Sequence, residues 1–113
     1  MSAALKLKAS PTLLAYDWLS DAAGAVSASR TRAELIADCD ARSLTAFKAV
    51  FEQAATDEAW TALANVFTPV VVPGMFSRAQ LTAKFESVDG VQQLIVSGKT
   101  WGVANATVEV RPK

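Results

Sequence analysis

From Leu81 to Val110 apolar and polar residues alternate along LTAKFESVDGVQQLIVSGKTWGVANATVEV, with Asp89-Gly90 and Gly98-Lys99 as interruptions. A period of two marks strands with one buried face. Asp-Gly between such runs specifies a two-residue hairpin, because a type I′ turn needs φ > 0 at both central residues. That turn sets Val88 opposite Val91, Phe85 opposite Leu94 and Ala83 opposite Val96. Gly98-Lys99 suits a type II′ turn, which sets Val96 opposite Trp101 and Leu94 opposite Val103. The two turns predict a three-stranded antiparallel meander over about 80–87, 91–97 and 100–110, with Leu81, Phe85, Leu94, Val96, Trp101 and Val103 on one surface. Thr82, Lys84, Glu86, Gln93 and Ser97 form the wet face, with Ile95 as its apolar exception. Beyond Val103 the apolar positions change from odd to even, and a β-bulge near Asn105 is the expected repair.

Upstream the pattern is helical. Leu14, Ala15, Trp18, Leu19, Ala22 and Val26 recur at three- and four-residue spacing behind Ser10-Pro11, which reads as an N-cap and first-turn proline. A helix over about 11–28 is predicted. Thr31-Arg32-Ala33-Glu34 is a capping box. The stripe of Ile36, Cys39, Phe47, Val50, Phe51 and Ala54 carries the next helix over about 32–55, with Arg42-Ser43 as a place where it can divide. Thr56-Asp57-Glu58 starts a third helix over about 57–67, and Pro69 stops it. Val70-Val71-Val72 suits a short buried strand closed by Pro73-Gly74. At the N-terminus Leu5 and Leu7 alternate with Lys6 and Lys8, so an edge strand over 4–9 is the alternative to a frayed end. The expected class is α+β: helices first, packed on one face of a small antiparallel sheet, in one domain spanning 1–113.

Composition narrows the functional field by exclusion. Eleven basic and eleven acidic residues are interspersed and give zero formal net charge. Neither a nucleic-acid footprint nor an anionic-membrane footprint is visible, and self-association meets little repulsion. No apolar run is long enough for a membrane helix, and Asp17 and Asp21 interrupt any secretory core. A single cysteine forms no internal disulfide, so a reducing compartment is expected. The expected location is the cytoplasm or an assembled particle.

The chain has no histidine, which removes the usual general base near neutral pH and the commonest zinc ligand. Gly98-Lys99-Thr100 resembles the end of a phosphate-binding loop, but Gln93 stands where the first glycine belongs and no helix follows. On a helix Asp17 and Asp21 would project together at the rim of the apolar stripe as two solvated acids. Cys39 lies on an apolar stripe without a basic neighbour and reads as structural. No catalytic, cofactor or metal residue is assigned, and no cofactor is expected. Trp18 and Trp101 fall on core stripes, and Trp60 lies on a short helix.

The reading favoured by these exclusions is a non-enzymatic structural subunit that associates with itself or another protein, for which a viral or phage particle is one setting. Leu5, Leu7, Ile95, Val108 and Val110 are its expected interface, with the 106–110 strand, or the Leu5–Leu7 segment, as a free edge. Two alternatives stand beside it. One is a small protein-binding module or inhibitor using Ile95 and the hairpin tips. The other is a ligand-binding protein or enzyme with a pocket between helices and sheet, near Tyr16, Asp17 or Asp21.

Overall fold

A computed structural model describes residues 12–113. Among these, six antiparallel strands and three helices make the fold α+β: β1 (Leu13–Ser20), β2 (Gly24–Thr31), α1 (Arg32–Ala41), α2 (Thr45–Gln53), α3 (Asp57–Thr61), β3 (Phe67–Pro73), β4 (Ala79–Val88), β5 (Val91–Thr100) and β6 (Ala104–Pro112). The strands form two three-stranded sheets, ordered β1-β6-β3 and β2-β5-β4. The helices therefore sit mid-chain rather than ahead of the sheet. The edge strand expected over 4–9, with Leu5 and Leu7, lies outside the described residues.

The Asp89-Gly90 hairpin is as expected. Asp89 and Gly90 have φ of 52° and 79°, and Val88, Phe85 and Ala83 face Val91, Leu94 and Val96. Gly98-Lys99, however, is not a turn. It continues β5, with Gly98 between Val26 of β2 and Leu81 of β4. A Cβ on Gly98 would collide with the carbonyl oxygen of Gln80, so the glycine is needed where two strand backbones draw close. The chain thus runs straight on into β6 instead of folding back. Leu94, Val96, Thr100, Ala104, Ala106, Val108 and Val110 are all buried, so one even-numbered face points inward throughout. No bulge is required at Asn105, and Trp101 and Val103 are exposed rather than core.

The two sheets are halves of one bent ladder. Going from Val88↔Val91 through Ala79↔Thr100 to Pro73↔Ala106 and Phe67↔Pro112, no residue is gained or lost on either arm. The first arm behaves alike, from Thr31↔Gln93 through Gly24↔Thr100 and Ser20↔Ala104 to Tyr16↔Val108. So 91–112 is a long central arm flanked by 13–31 and 67–88. All three arms bend together, near Asp21–Ala23, Gly74–Arg78 and Trp101–Val103.

The segment expected as a helix over 11–28 is β1 and β2. A register shift between Leu14 and Tyr16 moves the inward set from Leu13 to Tyr16 and Trp18, which leaves a three-residue step in the sequence. The spacing that suggested a helix depended instead on Leu19 and Ala22, which stand four residues after Ala15 and Trp18 but are exposed. The 32–55 helix divides at Arg42-Ser43, where Ser43 takes φ of 57° and Leu44 N–H bonds to the Cys39 carbonyl at 2.9 Å. The third helix is short, α3 followed by a 3-10 turn at Ala62–Asn65, and Phe67 already belongs to β3. The Val70–Val72 strand forms as part of β3.

The helices close over the inner faces of both half-sheets, where one apolar cluster forms. Phe51 lies 5.8 Å from Trp60, 5.6 Å from Phe67 and 6.4 Å from Phe85, and Phe47 stacks on Phe67 at 5.1 Å. Trp60 meets Phe85 edge-on at 5.4 Å and donates its Nε1–H to the Gln93 carbonyl at 2.8 Å. The buried indole thus keeps its donor satisfied. Arg32 joins α1 to the C-terminal end of α2, donating to the carbonyls of Phe51 at 2.8 Å and Glu52 at 2.9 Å.

Candidate functional site

The two buried candidates, Cys39 and Tyr16, are held in their neutral forms. Cys39 is fully buried, and burial, followed by the carboxylates of Asp38 and Asp40, pushes its thiol up to about 11. A thiol held protonated is not a nucleophile. Tyr16 is buried with Arg30 stacked 4.9 Å over its ring, and burial pushes its phenol up to about 12 against the opposing effect of Arg30. Its hydroxyl has no hydrogen-bond partner among the described residues, nor has the Nε of Arg30. Asp17 is exposed on β1 and Asp21 follows that strand, so they do not share a helix face. Among the described residues no group of three or more Cys, Asp or Glu is arranged to hold a metal ion.

Two grooves among the described residues hold no free acid–base pair. A groove of about 520 Å³ runs past Val71, Pro73, Ala79, Leu81 and Gly98, with Ser77, Gln80, Thr82 and Ser97 as its polar members. None of its lining side chains titrates near neutral pH, so it offers no general acid or base. A smaller groove of about 310 Å³ beside Cys39 and Ser43 holds charge, but Lys48 is already engaged with Asp40 at 2.8 Å.

Of the expected interface residues, Leu5 and Leu7 lie outside the described residues, and two of the other three are inward. Val108 and Val110 are 0% exposed on the central arm, with β1 on one side and β3 on the other. The free edge expected over 106–110 is therefore absent, and Val108 and Val110 have no surface to offer. Ile95 is half-buried on β5, between Ser29 and Lys84. The outer edges are the 13–31 and 67–88 arms. In β3 the pairing of Gly74 N–H with the Asn105 carbonyl at 2.7 Å fixes the phase of the ladder. Pro69 and Pro73 then fall at positions that face away from β6, where they cost no ladder bond and deny a donor to any incoming strand.

What the molecule does present is an apolar corner at the bend. Leu19, Met75, Phe76, Trp101 and Val103 are 65%, 78%, 86%, 52% and 56% exposed. They come from three different arms, and the backbone joins them. Leu19 is paired with Asn105, Arg78 N–H bonds to the Val103 carbonyl at 3.2 Å, and Trp101 N–H bonds to the Arg78 carbonyl at 3.0 Å. Leu19, Gly74 and Asn105 also line a shared groove of about 400 Å³. The bend is held by side chains too: Thr100 donates to the Ala22 carbonyl at 2.6 Å, and Asn105 N–H donates to Ser77 Oγ at 3.2 Å.

Met75 and Phe76 cap a turn closed by Ser77 N–H on the Gly74 carbonyl at 3.1 Å. Phe76 has φ of 65° there, a conformation that bulky residues avoid and that glycine or asparagine fills more cheaply. An exposed aromatic on a strained backbone serves no purpose in packing. Sequence pattern missed this site because Trp101 and Val103 alternate like core residues, while Met75-Phe76 reads as loop. The available signal was Pro73-Gly74-Met75-Phe76 itself: two large apolar residues in the middle of a turn. Compared with family models, with curated proteins and with solved structures, the chain gives no match.

Proposed function

We propose that this protein is a non-enzymatic assembly subunit that works by binding protein through the apolar corner. The observation that carries the reading is the exposure of five large apolar side chains on a backbone fixed by cross-arm hydrogen bonds. Contiguous exposed apolar surface marks interaction sites, and single scattered residues do not. Aromatic and methionine side chains dominate the corner, as they dominate the centres of protein interfaces. Zero net charge opposes no approach of like copies. The partner is another copy or a different chain, and a virus or phage particle is one setting for such a subunit.

Sedimentation equilibrium from micromolar to near-millimolar concentration, with recovery of bound proteins from source lysate, tests the reading. Association of the parent, lost in Trp101→Ser, is the expected result. A parent that stays monomeric and recovers no partner contradicts it.

A further inference from the structure

The corner is flanked by charge of opposite sign on its two sides. Asp17 and Asp21 lie on the 13–31 arm beside Leu19, exposed. Arg78, on the 67–88 arm, and Lys99, on the central arm beyond Trp101, are exposed as well. None of the four makes an ion pair among the described residues, although Arg30, Lys48, Lys84 and Arg111 all do. Asp17 pairs with Thr107 at one end of the bend and Lys99 with Ala25 and Gln80 at the other, so the order acid, apolar, base runs obliquely across the arms. On the acidic side Asp17 and Leu19 face Thr107 and Asn105, and on the basic side Arg78 and Lys99 flank Trp101.

We propose that the corner binds the corner of a second copy of this chain in a two-fold dimer. The inference rests on the assembly reading and names its partner. A surface that runs acid, apolar, base is complementary to itself when a two-fold axis lies across that direction. Asp17 and Asp21 of one copy then meet Arg78 and Lys99 of the other, twice per dimer. Trp101, Val103 and Phe76 pack at the centre, where water is excluded. Such an isologous contact is the commonest route to a closed oligomer. Charge across the rim fixes orientation, and the apolar centre supplies most of the affinity. The same pattern disfavours a stacked arrangement in which acid meets acid, so register is set by repulsion as well as attraction.

The test is charge exchange between two variants, read by native mass spectrometry and sedimentation, with thermal melting to verify that each variant is folded. One variant carries Asp17→Lys and Asp21→Lys, and the other Arg78→Asp and Lys99→Asp. Each variant alone should dimerise at least about tenfold more weakly than the parent, a change of about 1.4 kcal/mol. Mixed in equal amounts, they should recover a dimer holding one copy of each, because every flank again meets its opposite. Variants that dimerise like the parent, a mixture that fails to pair, or a parent mass above that of a dimer overturns the proposal. A monomeric parent that recovers a different protein from lysate overturns it too, while leaving the assembly reading intact. A monomeric parent that recovers nothing removes both.

Discussion

Thr31 holds two positions at once, and both can be read from its neighbours. It is the last residue of β2, opposite Gln93, and the N-cap of α1. Its hydroxyl accepts from Glu34 N–H at 3.2 Å while its own N–H donates to Glu34 Oε1 at 2.8 Å. The reciprocal pair was legible because Thr-x-x-Glu needs only local geometry. Thr31→Ala should cost about 1 kcal/mol at neutral pH, measured by denaturant unfolding. The Thr31 N–H holds the Glu34 carboxyl below the usual carboxylate range, ahead of the opposing effect of burial. A carboxylate with a lowered folded value stabilises above its unfolded pKa of about 4.3 and loses that contribution as pH falls through the folded value. The cost of Glu34→Gln should therefore be full at neutral pH and fade on acidification. Phe76 is the opposite kind of residue, with no local rule to explain it. Phe76→Asn removes the exposed ring and suits φ of 65° better. It should raise stability by roughly 0.5–1 kcal/mol while weakening association, a division that marks strain kept for binding.

At the scale of elements, legibility followed the range of the interaction. The Asp89-Gly90 hairpin and the Thr31 cap are specified within four residues and were legible, and α1 and α2 follow from the stripe of Ile36, Cys39, Phe47 and Phe51, although Leu35 is buried more deeply than Ile36. The 13–31 arm was not legible. Its ladder partners lie some eighty residues away, so only a long-range contact decides strand over helix. Leu19 and Ala22, exposed here, completed a false helical stripe with Ala15 and Trp18. Gly98 misled for a related reason, since a glycine needed for close backbone approach resembles a glycine needed for a turn. Gly98→Ala should destabilise by roughly 2–4 kcal/mol through the clash with Gln80 and the unfavourable φ of 157°. Gly102→Ala, where an added Cβ meets nothing within 4 Å, should stay within about 0.5 kcal/mol of the parent. Equal unfolding midpoints for the two variants would contradict the account of Gly98.

At the scale of the molecule, the bend separates two apolar surfaces. The inner faces of both half-sheets and the three helices share the aromatic cluster around Phe51, Trp60, Phe67 and Phe85. The outside of the bend carries Leu19, Phe76, Trp101 and Val103, which that cluster leaves out. Proline guards the outer edge of β3, so strand addition there is disfavoured, and the proposed contact is the corner. Hydrogen–deuterium exchange at rising protein concentration tests this most directly, because it reports both whether chains associate and where. The corner account predicts slowed exchange in peptides covering 17–21, 74–78 and 99–104, with the hairpin tip at Val88–Val91 unchanged. Exchange that does not depend on concentration, or slowing confined to that tip or to β2, would contradict it.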